Sequence, residues 1–229
     1  MGRRGKGMKM MSAKKKIAVV LSGCGVKDGS EIHEAVMTLL AIDRHRAAYQ
    51  CFAPNILQSE VVDHVTGTVT GEKRNVMVEA ARIARGDIRD LATFDAKDFD
   101  GLVFPGGFGA AKNLCSFADD GPNCNVEPTV AAAIVAMHQA GKPIGALCIA
   151  PVILAKVLGK VELTIGKDSG TAAAITAMGA THCERGQTEV AIDRANKVVT
   201  TPCYMLDASI RQIAEGADNL VKAILELAE

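Results

Sequence analysis

Apolar residues follow two periods along this chain, short continuous runs and longer stretches spaced every third or fourth position, and the two kinds alternate. Runs at 17–22, 48–52, 100–104, 143–147 and 162–165 are β-rich and largely free of charge, as strands buried on both faces of a parallel sheet should be. Between them lie helical patterns. The first carries Ile32, Ala35, Val36, Leu39 and Leu40 on one face, with Ser30 or Asp28 available to cap it. Others span 75–85, stopped by Gly86; 129–140, closed by Gly141 and Pro143; 149–158, with Pro151 in its first turn; and 171–178. Residues 58–73 read as a polar excursion and 113–127 as loop. A hairpin of 188–192 with 197–201 turns at 194–196, and an amphipathic helix over 205–227 closes the chain. Strands alternating with helices predict an α/β fold in which a mostly parallel sheet has helices on both faces and a late β-hairpin.

Three segments stand directly after such strands: Gly23 to Gly29, Pro105-Gly106-Gly107-Phe108-Gly109, and Cys148. Ligands of open α/β sheets bind outside the carboxyl ends of the strands, so the three are expected to converge on one site. Cys148 sits where a strand stops and a helix begins. Unpaired backbone N–H groups and the helix dipole favour a thiolate there, which predicts a nucleophile of lowered pKa rather than a small apolar core residue. The N–H groups of the glycines at 106, 107 and 109 can hold an oxyanion, although turn chemistry alone also explains those glycines. The loop after the first strand is spaced G-x-G-x-x-x-G, and the second strand runs into Ala53-Pro54 without a terminal acid, which sets it apart from a dinucleotide fingerprint.

Charge narrows the partners. Lys plus Arg and Asp plus Glu number 26 each, so nothing in the balance recruits nucleic acid or an anionic membrane. Arg3, Arg4, Lys6, Lys9, Lys14, Lys15 and Lys16 precede the first strand, leaving 19 of the 26 basic residues to set against all 26 acidic ones. Residues 1–16 are therefore expected to form a basic, disordered leader and 17–229 a single acidic domain. The run 144–155 is too short for a membrane span and is broken by Pro151. Lysines followed by 17–21 and Cys24 resemble an acylated-cysteine export signal, but the apolar run falls short of the roughly 7–15 residues required. Seven cysteines without a C-x-x-C pair or a zinc-spaced cysteine–histidine cluster predict free thiols, no metal and a cytoplasmic location.

The chain resembles the PfpI superfamily, the group with a class I glutamine amidotransferase-like fold that includes the parkinsonism-linked deglycase. The resemblance runs from Ile17 over nearly the whole chain. It rests on Leu102-Val103-Phe104-Pro105-Gly106-Gly107, Ala110-Ala111-Lys112-Asn113-Leu114 and Gly145-Ala146-Leu147-Cys148-Ile149-Ala150-Pro151. Leu21 to Val26, Asp28 to Glu34 and Leu163-Thr164-Ile165-Gly166 are similar to the ElbB-like branch, which is associated with glyoxalase activity and loosely with isoprenoid biosynthesis. The resemblance implies a flavodoxin-like three-layer sandwich, no cofactor, a homodimer, and a small aldehyde or dicarbonyl substrate. It implies Cys148 as nucleophile and Glu34 as its acidic partner by an ungapped match from Gly29, with Glu31, one turn earlier, left open. As a bare carboxylate, Glu31 fits a solvated helix start better. Amides at Gly107 and Ile149, with Gly106 beside them, are implied as the oxyanion pocket; Cys24, near the same loop, is an accessory candidate by its position alone.

One departure matters: the histidine that strongly active relatives carry in the strand after the nucleophile helix is matched here by Gly166. His182, in His182-Cys183-Glu184, imitates an amidotransferase His-x-Glu at too short a separation from the cysteine; His33 neighbours the glutamate in sequence, and His138 is expected near a helix end. The activity so implied is glyoxal converted to glycolate through a cysteine hemithioacetal. A cysteine redox sensor or interaction protein and an amidotransferase-like ammonia donor are the alternatives.

Overall fold

A computed structural model describes residues 14–229. A seven-stranded sheet is formed by β1 (Lys16–Val20), β2 (Ala48–Ala53), β3 (Ile88–Asp90), β4 (Gly101–Phe104), β5 (Ile144–Leu147), β8 (Ala191–Asp193) and β9 (Val198–Thr201). Its order is β3-β2-β1-β4-β5-β9-β8, parallel throughout except for the final β8/β9 hairpin. A separate parallel pair, β6 (Glu162–Leu163) with β7 (Thr181–His182), lies apart from it. The helices are α1 (Ile32–Arg44), α2 (Val76–Ile83), α3 (Phe108–Lys112), α4 (Phe117–Asp120), α5 (Pro128–Gln139), α6 (Pro151–Leu158), α7 (Ser169–Ala177) and α8 (Ile210–Leu227).

The uninterrupted apolar runs arise because both faces of the sheet are covered. Along β1, Ala18 and Val20 join one core with Ile134 and Met137 of α5 and Leu154 of α6. The alternate residues Ile17 and Val19 join the other, with Ala35 and Ile42 of α1 and Leu220 and Ile224 of α8. Side chains alternate across a strand, so a strand sandwiched in this way must be apolar at every position. The three layers follow from that pattern.

Topology places the site. β1, β4 and β5 are neighbours in the sheet, so the loops after them emerge side by side where the strand order reverses. Several boundaries differ from expectation. Lys15 and Lys16 are not leader: Lys16 opens β1, its N–H donating to Asp100 at 2.8 Å, and the Lys15 ammonium donates to Asp100 (3.3 Å) and to the Ala228 carbonyl (2.8 Å). Of the rest of the expected leader, Lys14 is exposed and outside any element, and residues 1–13 lie outside the described residues. The strand expected at 162–165 shrinks to two residues outside the main sheet. The 113–127 segment contains α4, and α8 begins at Ile210 rather than 205 because residues 203–205 form a separate 3-10 turn.

Candidate active site

Leu147 ends β5, and Cys148 follows at φ +59°, in the left-handed region that a non-glycine residue occupies at a cost of about 1–2 kcal/mol. The Cys148 N–H donates to the Thr201 carbonyl of β9 at 2.9 Å, which fixes this turn to the next strand before Pro151 opens α6. The sulfur is consequently aimed out of the sheet. Cys148 is 7% exposed and contributes to the wall of a cavity of about 490 Å³. The backbone N–H groups of Gly107 and Ile149 lie beside its sulfur and favour its ionised form. Gly107 can supply that amide because its φ is +98°, and a Cβ there would lie 2.3 Å from the Glu31 nitrogen.

Glu34 projects from the first turn of α1 and is 0% exposed. Its carboxyl accepts the Gly106 N–H on Oε2 at 3.0 Å and the Tyr204 N–H on Oε1 at 3.2 Å, and it lies next to the Cys148 thiol, both being packed against Gly106. Burial drives the Glu34 pKa up to about 8, against the pull of those hydrogen bonds and with a small push from Glu31. At neutral pH Glu34 therefore holds its proton. Burial and then the Glu34 charge push the Cys148 thiol above the ordinary thiol range, opposed by the Gly107 and Ile149 amides.

Around this pair the cavity wall is apolar at Phe108, Phe117, Ile149 and Met205 and acidic at Glu31 and Asp168. Tyr204 also faces it, its hydroxyl hydrogen-bonded to His33 Nδ1 at 2.9 Å. Among the described residues, no group of three histidine, cysteine, aspartate or glutamate side chains is placed to hold a metal ion.

No family model matches the chain. It is 50% identical to the human mitochondrial glutamine amidotransferase-like class 1 domain-containing protein 3, over 93% of this chain and 83% of that protein. The chain belongs to the glutamine amidotransferase-like class 1, or ES1, family. The rat ES1 protein homolog, also named mitochondrial, is 48% identical over 93% of this chain and 84% of its own. Among solved structures, an Ehrlichia chaffeensis isoprenoid biosynthesis protein with an amidotransferase-like domain is 38% identical. It superposes with a TM-score of 0.89 over 94% of this chain and 100% of that one. A ThiJ/PfpI domain protein from Brachyspira murdochii, 15% identical, covers 94% of this chain and 97% of its own at a TM-score of 0.58, which shows the shared fold. The mitochondrial naming of the curated relatives overturns the expected cytoplasmic location. Free cysteines indicate a reducing environment and cannot tell one reducing compartment from another.

In this ES1-family chain the structure brings Cys148, Glu34, Gly107 and Ile149 together. It corrects four further expectations. The Cys148 pKa is raised rather than lowered, because burial and a carboxyl against the sulfur outweigh two amides. The Gly106 N–H is committed to Glu34, so Gly106 positions the acid instead of supplying an oxyanion donor. Glu31 is not solvated: at 8% exposure it is the N-cap of α1, Oε2 accepting the Glu34 N–H at 2.7 Å. The proposed caps are engaged elsewhere, Ser30 Oγ accepting the Ser22 N–H and Asp28 the Val62 N–H, both at 2.8 Å.

Two accessory candidates fall outside the site. Cys24 is half-buried beside Glu79 and Arg82 of α2, its thiol pushed up mainly by burial, and it does not line the cavity. His182 lies on β7, with Nε2 3.5 Å from the Ile165 N–H, and is likewise absent from the cavity wall. Its pKa is lowered by burial. His138 sits in the last turn of α5. Gly166 has φ +91°, and a Cβ there would meet Leu206 at 3.1 Å and Pro202 at 3.2 Å. Gly166→His is therefore expected to leave turnover unimproved and to cost about 1–3 kcal/mol, read from urea unfolding; a faster, equally stable variant would contradict this.

Tyr204 is the functional neighbour that the sequence reading missed. It follows the end of β9, which lies next to the nucleophile's strand, and its backbone N–H is what holds Glu34 Oε1. A tyrosine just past a strand end, one of only two in the chain, was the available signal.

Proposed function

We propose that this protein is a cofactor-independent glyoxalase-type enzyme that isomerises and hydrates α-oxoaldehydes to 2-hydroxy acids. The observation that carries the proposal is the buried juxtaposition of the Cys148 sulfur and the Glu34 carboxyl, both packed against Gly106 at a cavity wall, with the Gly107 and Ile149 amides beside the sulfur. Glu34 gives up the first proton of the pair, and passage of the Cys148 proton to that carboxylate then leaves a thiolate facing a carboxylic acid. The thiolate adds to the aldehyde carbon, forming the C–S bond, and Glu34 gives its proton to the resulting oxyanion while the Gly107 and Ile149 amides hold it. Now a carboxylate, Glu34 removes the hydrogen from the thiohemiacetal carbon and returns it to the adjacent carbon through an enediol. The second oxygen takes up the hydroxyl proton, leaving a 2-hydroxy thioester. Water then breaks the C–S bond, restoring the thiolate and releasing the acid. One carbon is oxidised and its neighbour reduced, so no external oxidant is needed.

The redox-sensor alternative draws on the same thiolate but gives no role to a cavity beside the sulfur. The ammonia-donor alternative lacks its histidine, since His182 is away from the cavity. The test is consumption of glyoxal and methylglyoxal. Cys148→Ala is expected to abolish it and Glu34→Gln to lower kcat by about 10²–10⁴; equal rates in wild type and both variants would remove the proposal.

A further inference from the structure

Resting on that enzyme reading, we infer that the cavity beside Cys148 selects neutral, apolar α-oxoaldehydes, of the aryl or long-alkyl class, over both the smallest dicarbonyls and anionic ones. Three observations carry this. First, about 490 Å³ lies in the roughly 300–1,000 Å³ range of pockets that enclose a whole drug-sized ligand, far more than glyoxal fills. Second, the wall that such a substituent would touch is Phe108, Phe117, Ile149 and Met205, side chains with no charge to solvate. Third, the charged side chains that line it are both acids, Glu31 and Asp168, and among the described residues no lysine, arginine or histidine lines it. Two nearby basic side chains do not reverse this sign: His33, with Nδ1 4.0 Å from Glu31 Oε1, does not line the cavity, and neither does Lys112. Lys112 stands 5.5 Å from the centroid of the Phe108 ring but is paired with Glu60.

An anionic substituent entering this cavity would lose its hydration shell, gain no positive partner and face two carboxylates. A neutral aromatic or alkyl group would exchange water for apolar wall, which is favourable in proportion to the area covered. The acids thus act as a filter rather than as catalytic groups. Asp168 suits a test of this role because it is the N-cap of α7, accepting the Thr171 N–H at 2.7 Å. Asparagine caps as well as aspartate does, so Asp168→Asn removes the charge and keeps the helix.

The experiment reads the pocket independently of turnover. Wild-type protein is alkylated with N-benzyl-iodoacetamide, iodoacetamide and iodoacetate, and each rate at Cys148, followed by peptide mass, is divided by the same reagent's rate with glutathione. In every case the sulfur forms the new C–S bond and iodide leaves. The normalised order is expected to be benzyl amide, then amide, then carboxylate, with about tenfold or more between first and last. Asp168→Asn should raise the iodoacetate rate several-fold and leave the order of the two amides intact. Ala118→Trp, on the exposed face of α4 at the cavity wall, should erase the advantage of the benzyl reagent. In turnover, phenylglyoxal should exceed glyoxal in kcat/KM, and its 4-carboxy derivative should fall below both. Iodoacetate matching the amides, or glyoxal outrunning phenylglyoxal, would overturn the inference. No turnover of any aldehyde, with the alkylation order preserved, would instead remove the enzyme reading and leave the pocket's selectivity established.

Discussion

Alanine in place of Gly106 is expected to lower the stability of the protein by about 3 kcal/mol and its turnover by at least ~10²-fold. The reason is steric and local. A Cβ at this position would lie 2.4 Å from the Cys148 Cβ, 2.6 Å from Glu34 Oε2 and 3.0 Å from the Cys148 sulfur, inside the contact that defines the site. The backbone cannot withdraw, because the Gly106 N–H is bound to Glu34 at 3.0 Å and its carbonyl accepts the Glu31 N–H at 2.9 Å. Relief must come from Cys148 or Glu34 moving apart, which breaks the pair. In a protein of this size the loss corresponds to a melting midpoint roughly 6–12 °C lower. Thermal unfolding and glyoxal turnover measured together check it, and a variant with unchanged midpoint and rate would show that the pair is not packed against this backbone.

Glu34→Gln is expected to change how stability depends on pH. The native pKa of Glu34, about 8, lies above its unfolded value near 4.5, so the native state binds this proton more tightly. The stabilisation is complete below the unfolded pKa and is lost as pH rises through the folded one. Between pH 5 and pH 9 this single group is expected to withdraw on the order of 4 kcal/mol from the wild type. Glutamine cannot ionise, so it escapes that loss. At pH 5 it is the poorer residue, because its amide nitrogen must face one of the Gly106 and Tyr204 N–H donors, at a cost of about 1–3 kcal/mol. The two stability curves should therefore cross between these pH values in urea unfolding. Parallel curves would mean that Glu34 is already ionised in the native protein.

The sheet was legible from the chain because burial on both faces writes itself into every position of a central strand, as at Ile17 to Val20. Elements without that double burial were harder to read. The edge strand β3 is three residues, Ile88-Arg89-Asp90, none of them fully buried, and β6 with β7 adds two residues each outside the main sheet. The start of α8 had a signal that went unused: Ser209 and Gln212 form a reciprocal capping box. In the site, Cys148 was read from the chain, Glu34 was implied by the family resemblance with Glu31 left open, and the positive φ of Cys148 suits the predicted strand-to-helix elbow. The sign of its pKa shift was not legible. A helix start beside a cysteine argues for a thiolate, but the carboxyl that reverses the argument arrives from 114 positions away and touches the sulfur only in the folded state. Glu31 and Tyr204 escaped for the same reason, since a buried cap and a backbone N–H aimed at a carboxylate leave no residue-type pattern.

The rate at which Cys148 is alkylated by iodoacetamide as a function of pH, in wild type and in Glu34→Gln, tests most directly that these two side chains share their protons. The account predicts a wild-type profile that climbs in two steps, the first near pH 8 where the pair loses its first proton, and a variant profile with a single step. Superimposable profiles would contradict it.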